Sequence, residues 1–312
     1  MHILVTGGCG YIGSILTAKL LKQGYQITVF DTQWFGNYLK KSKKLKIIKD
    51  DIRNIQKYDL SKYETIIHLA NIANDPGVEL NQTLSWEVNV LATELILNKA
   101  VKDKVKHFIF SSSGSVYGVK KEKKVTEDLE LIPISIYNKT KMIAEKIVES
   151  YKNLIKVHII RPATVCGVSP RMRLDVSVNM FTYQALKFNK ITVFGGNQIR
   201  PNIHIEDIVN VFTHFLKKPN IASGSYNAGF ENIRIIDIAK KIQNITGAKI
   251  IKTKSNDKRS YRQDSSKLIN TGFKSNYQII DAINDIQNWY KSKKIIESKK
   301  YYTVKWMKKL GL

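Results

Sequence analysis

A tyrosine and a lysine four residues apart, Tyr137 and Lys141 in SIYNKTKMIAEKIVESY, share one face of the helix that this stretch predicts. Twenty-four residues before Tyr137 lies Ser113, within SSSGSVYG at 111–118, a hydroxyl-rich run that directly follows the apolar HFIF where a strand should end. A phenol with a pKa of about 10 is a poor base at neutral pH, but a neighbouring ammonium and a cationic ring both favour the phenolate. Tyr137 would then take a proton from a substrate alcohol as hydride leaves its carbon, while Lys141 also holds a cofactor ribose. A serine hydroxyl would orient the alcohol oxygen as it becomes a ketone. Tyrosine and lysine at this spacing also occur on many helices without a role. A hydride acceptor elsewhere in the chain separates the two readings.

The first residues supply that acceptor site. The apolar strand HILVT runs into TGGCGYIGSILTAKLL, so Gly7, Gly10 and Gly13 fall at a strand-to-helix turn, where small residues let the backbone approach a pyrophosphate and the helix N-terminus offers N–H donors. A second strand ends at Asp31, 18 residues after Gly13. A carboxylate there accepts hydrogen bonds from adenosine ribose hydroxyls and repels a 2′-phosphate, and Thr32 and Gln33 offer no arginine to hold one, which favours NAD over NADP. Glycines that merely turn the chain would leave this ordered strand, helix and acid unexplained. Asp51 and Ile52, just beyond the third strand, are placed to flank the adenine, and a solvated turn serves that pair nearly as well.

These residues need a framework, and the pattern provides one. Strands are predicted at 2–6, 26–31, 46–49, 65–70, 107–112 and 157–161, with helices near 11–23, 83–101 and 136–152. Strands apolar on both faces imply a covered parallel sheet, hence an α/β, Rossmann-type doubly wound fold. After Arg161 the alternation gives way to proline and glycine punctuation, with helices near 176–188, 205–217 and 233–246 and a Lys-rich surface helix and tail at the end. The expected division is 1–166 for the dinucleotide-binding part with the Ser/Tyr/Lys set, and 167–312 mainly for a smaller mixed α/β substrate domain, some segments of which return to the first.

The net charge is +25 and comes mostly from scattered lysines, which fits a solvated surface and anionic small ligands better than a nucleic-acid partner. The two cysteines, Cys9 and Cys166, make neither a disulfide framework nor a metal-binding spacing, so a reducing cytoplasm is expected. No apolar run approaches the roughly 18 residues of a membrane helix.

Taken in order, TGGCGYIG, Asp31, HLA at 68–70, Asn89 in EVNVLAT, SSSGSVYG, YNKTK, RPATVCG and RPNIHIED at 200–207 resemble the extended short-chain dehydrogenase/reductase superfamily. Within it they resemble the NAD-dependent nucleotide-sugar epimerase/dehydratase family, along nearly the whole chain. The resemblance implies a catalytic set of Ser113, Tyr137 and Lys141. It also implies NAD contacts from Tyr11, Ile12, Leu69, Ala70 and Asn89, and nucleotide-sugar contacts from Thr164, Asn179, Arg200 and Arg259. Arg200 matches the family arginine that binds the substrate pyrophosphate, and Arg259 is a looser match to a second one. Asn179 reads equally as a helix-surface residue, and Arg171 and Arg173 as surface or substrate residues. Asp75 in NDPGVEL faces a sugar hydroxyl or begins a turn before Pro76.

Two departures stand out. The family's common asparagine in the RxxN segment is Thr164, and Cys166 replaces an aromatic or small residue. The positions after Ser113, where sugar 4,6-dehydratases carry Asp and Glu, are Gly114 and Ser115. The expected activity is therefore a nucleotide-sugar 4-epimerase acting through a 4-keto sugar, with a 4-dehydrogenase or 4-ketoreductase as the near alternative and a catalytically silent NAD-sensing protein as the distant one. By the same resemblance, the helices of 83–101 and 136–152 would pair two copies into a homodimer.

Overall fold

The computed structural model describes residues 1–254, 260–292 and 297–312. Its first half consists of β1 (His2–Thr6), α1 (Tyr11–Lys22), β2 (Gln26–Phe30), β3 (Leu45–Ile48), β4 (Thr65–His68), α2 (Asp75–Val78), α3 (Gln82–Trp86), α4 (Ala92–Lys102), β5 (His107–Ser111), α5 (Ile136–Ser150) and β6 (Lys156–Pro162). The second half holds β7 (Thr164–Cys166), α6 (Ser177–Phe188), β8 (Lys190–Phe194), β9 (Ile199–His204), α7 (Ile205–Lys217), β10 (Gly224–Ala228), β11 (Glu231–Arg234), α8 (Ile235–Thr246), β12 (Lys249–Thr253), α9 (Ser266–Ile269), α10 (Ile279–Lys291) and α11 (Thr303–Leu310).

Seven strands form one sheet in the order β10-β6-β5-β4-β1-β2-β3, parallel throughout. The alternation of side chains along each strand explains why both faces are covered. Leu4, Ile66, Phe108 and Ile159 point to the face covered by α3, α4 and α5. Ile3, Val5, Ile67, Ile109 and Ile160 point to the other, against Leu16 and Leu20 of α1 and Ile208, Phe212 and Phe215 of α7. At about 25 cal/mol per Å² of apolar surface removed from water, these two layers supply the dominant favourable free energy of folding. The fold is thus the α/β doubly wound sheet that the strand pattern predicts.

The second half is divided between two bodies. β10 extends the large sheet and α7 covers it, whereas β11-β9-β7 and β12-β8 form two small sheets that pack with α6, α8 and α10 around a separate apolar cluster. Two element boundaries differ from expectation. The helix expected over 83–101 contains a π turn at Glu87–Leu91, between α3 and α4. The first residues of the helix expected from 233 pair with β9 as β11 instead. The Lys-rich end is also more than a surface helix and tail, because α11 packs back over the C-terminal ends of the strands, where Thr303, Val304 and Met307 line the central cavity.

Under α5 runs a buried polar network that joins this helix to β6, β10 and the end of β5. Glu145 of α5 and Arg161 of β6 are 3% and 5% exposed. They form an ion pair of 2.8 Å with a second contact through Nε at 3.1 Å. Arg161 Nη1 donates to Tyr117 Oη at 2.7 Å, and that hydroxyl donates to Asn227 Oδ1 of β10 at 2.8 Å. Gln263 donates to the Arg161 carbonyl and to Asn227 Oδ1. The Ser112 hydroxyl donates to Glu145, so the network reaches the end of β5.

Candidate active site

A cavity of about 700 Å³ opens at the C-terminal ends of β1, β2, β4 and β5, between the large sheet and the second body. One end is the glycine turn. Gly7 has φ +70°, and a Cβ there would lie 2.6 Å from Ala70 N. A Cβ at Gly13 would lie 2.2 Å from the Gly7 carbonyl, so only glycine lets α1 start against the strand. At Gly10, just before α1, the nearest such contact is 3.1 Å and the backbone borders the cavity. The N–H groups at the start of α1 therefore face open space bordered by Tyr11 and Ile12, as a pyrophosphate cradle requires.

Asp31 stands at the end of β2, its carboxylate accepting from Cys9 N at 2.9 Å and Gln33 N at 2.6 Å. Burial raises its pKa, and those two N–H donors work against the rise. Asp51 and Ile52, expected to flank the adenine, line the same cavity. Asp51 also caps the turn that follows and pairs with Arg53 at 2.9 Å. Leu69 and Ala70 line the cavity beyond β4. The cradle, the ribose acid and the flanking apolar residues fit NAD in size and chemistry.

The redox set sits farther in. Ser113 ends the strand run in extended backbone and caps the short turn Gly114–Tyr117. Its hydroxyl lies 2.8 Å from that of Ser115 and accepts from Ser115 N. Tyr137 and Lys141, one helical turn apart on α5, line the same cavity. The Tyr137 phenol is pushed up to about 12, chiefly by burial, while the polar side chains of Ser113 and Asn71 and the Arg173 charge pull it down and Asp75 pushes it up. Lys141 Nζ donates to the Ser111 carbonyl at 2.7 Å. Burial lowers its pKa to about 7, against the Glu145 carboxylate. The lysine expected to lower the phenol's pKa is itself desolvated, and burial is the largest influence on the phenol. A Cβ at Gly114 would come within 3.2 Å of Gln263 and the Pro162 carbonyl, which leaves no space for a carboxylate side chain there without displacing them.

Of the residues with candidate substrate roles, Thr164, Arg200, Arg171, Arg173 and Asp75 all line the cavity. Asp75 begins α2, so the turn before Pro76 and the cavity position are both present. Two residues expected to touch ligands have other partners. Asn89, in the π turn, accepts from Ile72 N at 2.8 Å and donates to Ile72 O and Thr140 Oγ1. Asn179 is fully buried. It accepts from Gly167 N at 2.9 Å and donates to Tyr11 Oη, Gly167 O and Arg173 O. Both amides brace loops that border the cavity, and neither lies on a helix surface. Arg259 lies outside the described residues.

Sequence reasoning missed the contributions of Trp34 and Phe35, Asn71, Asp175 and the residues of α11. Of these, only Asp175, beside Arg173 in SPRMRLD, had a signal in the sequence. The two side chains pair at 2.9 Å.

Sheet order, glycine cradle, ribose acid and Ser/Tyr/Lys set together define a Rossmann-type dinucleotide-binding protein with the side chains of a dehydrogenase. Residues 3–229 match the model of the NAD dependent epimerase/dehydratase family, and the chain belongs to that family. It is 32% identical over 269 residues to a Bacillus subtilis protein described as an uncharacterized UDP-glucose epimerase, YtcB, covering 80% of this chain and 83% of that one. It is 28% identical to a UDP-glucose 4-epimerase of Lactobacillus helveticus, over 94% of this chain and 98% of the relative. Among solved structures, a UDP-glucuronic acid 4-epimerase from Bacillus cereus in complex with UDP-glucuronic acid and NAD superimposes with a TM-score of 0.83 at 29% identity, covering 94% and 99%. Among the described residues no helix is long and apolar enough to cross a membrane.

Proposed function

We propose that this protein is an NAD-dependent nucleotide-sugar 4-epimerase. The observation that carries the reading is the gathering of Ser113, Tyr137 and Lys141 in one cavity, with Gly114 and Ser115 following Ser113 where a dehydratase needs an acid and a base. When bound, NAD supplies the acceptor and donor of the C4 hydride and a cationic ring beside the phenol. Tyr137 takes the proton of the C4 hydroxyl and returns it, and Ser113 donates to the oxygen while it is a carbonyl. Lys141 holds the nicotinamide ribose. Arg200 and Thr164 hold the substrate diphosphate, so that only the sugar turns and binding energy from the remote nucleotide positions the reacting carbon. Arg259 is proposed as a second diphosphate contact from the resemblance alone. Two free thiols, Cys9 and Cys166, both buried, suit a cytoplasmic site of action.

The names of the relatives make UDP-glucose and UDP-glucuronic acid the first substrates to test. Incubation of the purified holoprotein with either should give a mixture of C4 epimers with no net change in NADH absorbance. Stoichiometric NADH formation would replace the epimerase with a 4-dehydrogenase, and a product lighter by one water would replace it with a dehydratase. A homodimer through α4 and α5 is supported by Trp86 and Leu91, exposed apolar residues on the stretch that leads into α4. Light scattering at micromolar concentration should find a dimer, and a monomer would exclude it.

A further inference from the structure

The cavity contains a charge that neither the fold nor the redox set accounts for. Arg171, between β7 and α6, is 4% exposed and lines the cavity, with its guanidinium 3.9 Å from the centroid of the Phe35 ring. Among the described residues its acceptors are few and neutral. Nη2 donates to Thr303 Oγ1 at 3.2 Å and Nη1 to the Met172 carbonyl at 3.4 Å. Nε is buried and has no acceptor among them. The nearby carboxylate of Asp175 is taken by Arg173. Burial, with the like charge of Arg173, lowers the Arg171 pKa to about 9. A cation buried without a counter-ion costs several kcal/mol, and a ligand anion is the usual compensation in a cavity.

Location decides which anion. Arg171 stacks on Phe35, in the loop that follows Asp31, and its field reaches both Asp31 and Tyr11. Those residues flank the α1 cradle. Arg173, two residues on, shares the action on Tyr11 but acts on Tyr137 at the reacting centre and not on Asp31. We propose that Arg171 is a second anchor for the diphosphate of the bound dinucleotide, supplied by the segment after β7 and held in place by Phe35 and by Thr303 of the C-terminal helix. The proposal rests on the NAD site described above. A guanidinium suits this task because its planar fork can stack on an aromatic ring and still donate in-plane to phosphate oxygens. The C-terminal helix is thereby coupled to cofactor retention. Thr303 holds Arg171 through its hydroxyl and Asp175 through its N–H, and Trp306 Nε1 donates to the Trp34 carbonyl at 2.6 Å.

The test is calorimetric titration of cofactor-depleted full-length protein with NAD, ADP, adenosine and, separately, UDP. Arg171→Met should weaken NAD and ADP by about 10- to 100-fold, the range of a charged hydrogen bond, and leave adenosine and UDP within about 2-fold. Arg171→Lys should recover part of the loss. Thr303→Val, which keeps the backbone bond to Asp175, should weaken NAD by a smaller factor and serves if Arg171→Met does not fold. Unchanged NAD affinity, equal losses for ADP and adenosine, or a loss confined to UDP would each overturn the proposal. A wild-type protein that binds neither NAD nor ADP would instead overturn the cofactor site itself.

Discussion

Tyr137→Phe is expected to lower epimerase turnover by about 10²- to 10⁴-fold, the usual contribution of a positioned acid-base group. Phenylalanine keeps the ring and its packing on α5 but removes the hydroxyl proposed to take the C4 proton. Affinity for NAD and UDP should stay within a few-fold, because the α1 cradle, Asp31 and Arg200 are untouched. The pH dependence discriminates further. Burial holds the phenol near 12, so at neutral pH the ionised fraction is small and grows about tenfold per pH unit below the pKa. The wild-type rate should therefore rise with pH on the alkaline side of neutrality, and the variant should lose that rise. Unchanged turnover of UDP-sugars by the Tyr137→Phe enzyme would remove Tyr137 from the reaction.

Arg161→Met should cost about 3–5 kcal/mol of stability, because it leaves the Glu145 carboxylate buried without its counter-ion. Spread over a 312-residue unfolding transition, that loss corresponds to a fall in Tm of about 5–8 °C. Tyr117 would lose its donor at the same time, and with it the link to Asn227 of β10. The double change Arg161→Met with Glu145→Met removes both charges and should recover a large part of the loss, since an apolar pair of similar volume often matches a buried ion pair. Differential scanning calorimetry of the three proteins checks this. A single variant within about 1 kcal/mol of wild type would mean that water or Lys141 already compensates Glu145.

Much of the candidate site is legible in the order of the amino acids. The glycine spacing, Asp31, and Tyr137 with Lys141 are short-range patterns, and strand alternation and helical period carry them into space with little ambiguity. The asparagines are less legible. The motif resemblance implies ligand contacts for Asn89 and Asn179, yet here both amides bond to backbone groups 17 and 12 residues away along the chain and to the hydroxyls of Thr140 and Tyr11. An amide that braces a loop and one that touches a ligand have the same letter and the same neighbours in sequence. Only the count of available partners within hydrogen-bond distance tells them apart.

The parallel sheet, the dinucleotide cradle, the preference for NAD and the candidate redox residues all follow from the amino-acid order, because each depends on side chains close together along the chain. Other properties arise only when the chain is packed. The Lys-rich C-terminal helix walls the cavity, β10 returns to the large sheet, Lys141 is desolvated enough to fall to about 7, and Arg171 stands beside Phe35 and Thr303 with no carboxylate of its own among the described residues. These are statements about burial and about partners from 66 to more than a hundred residues apart. Periodicity and spacing report the face on which a residue lies, whereas dielectric environment and counter-charge depend on everything that packs against that face.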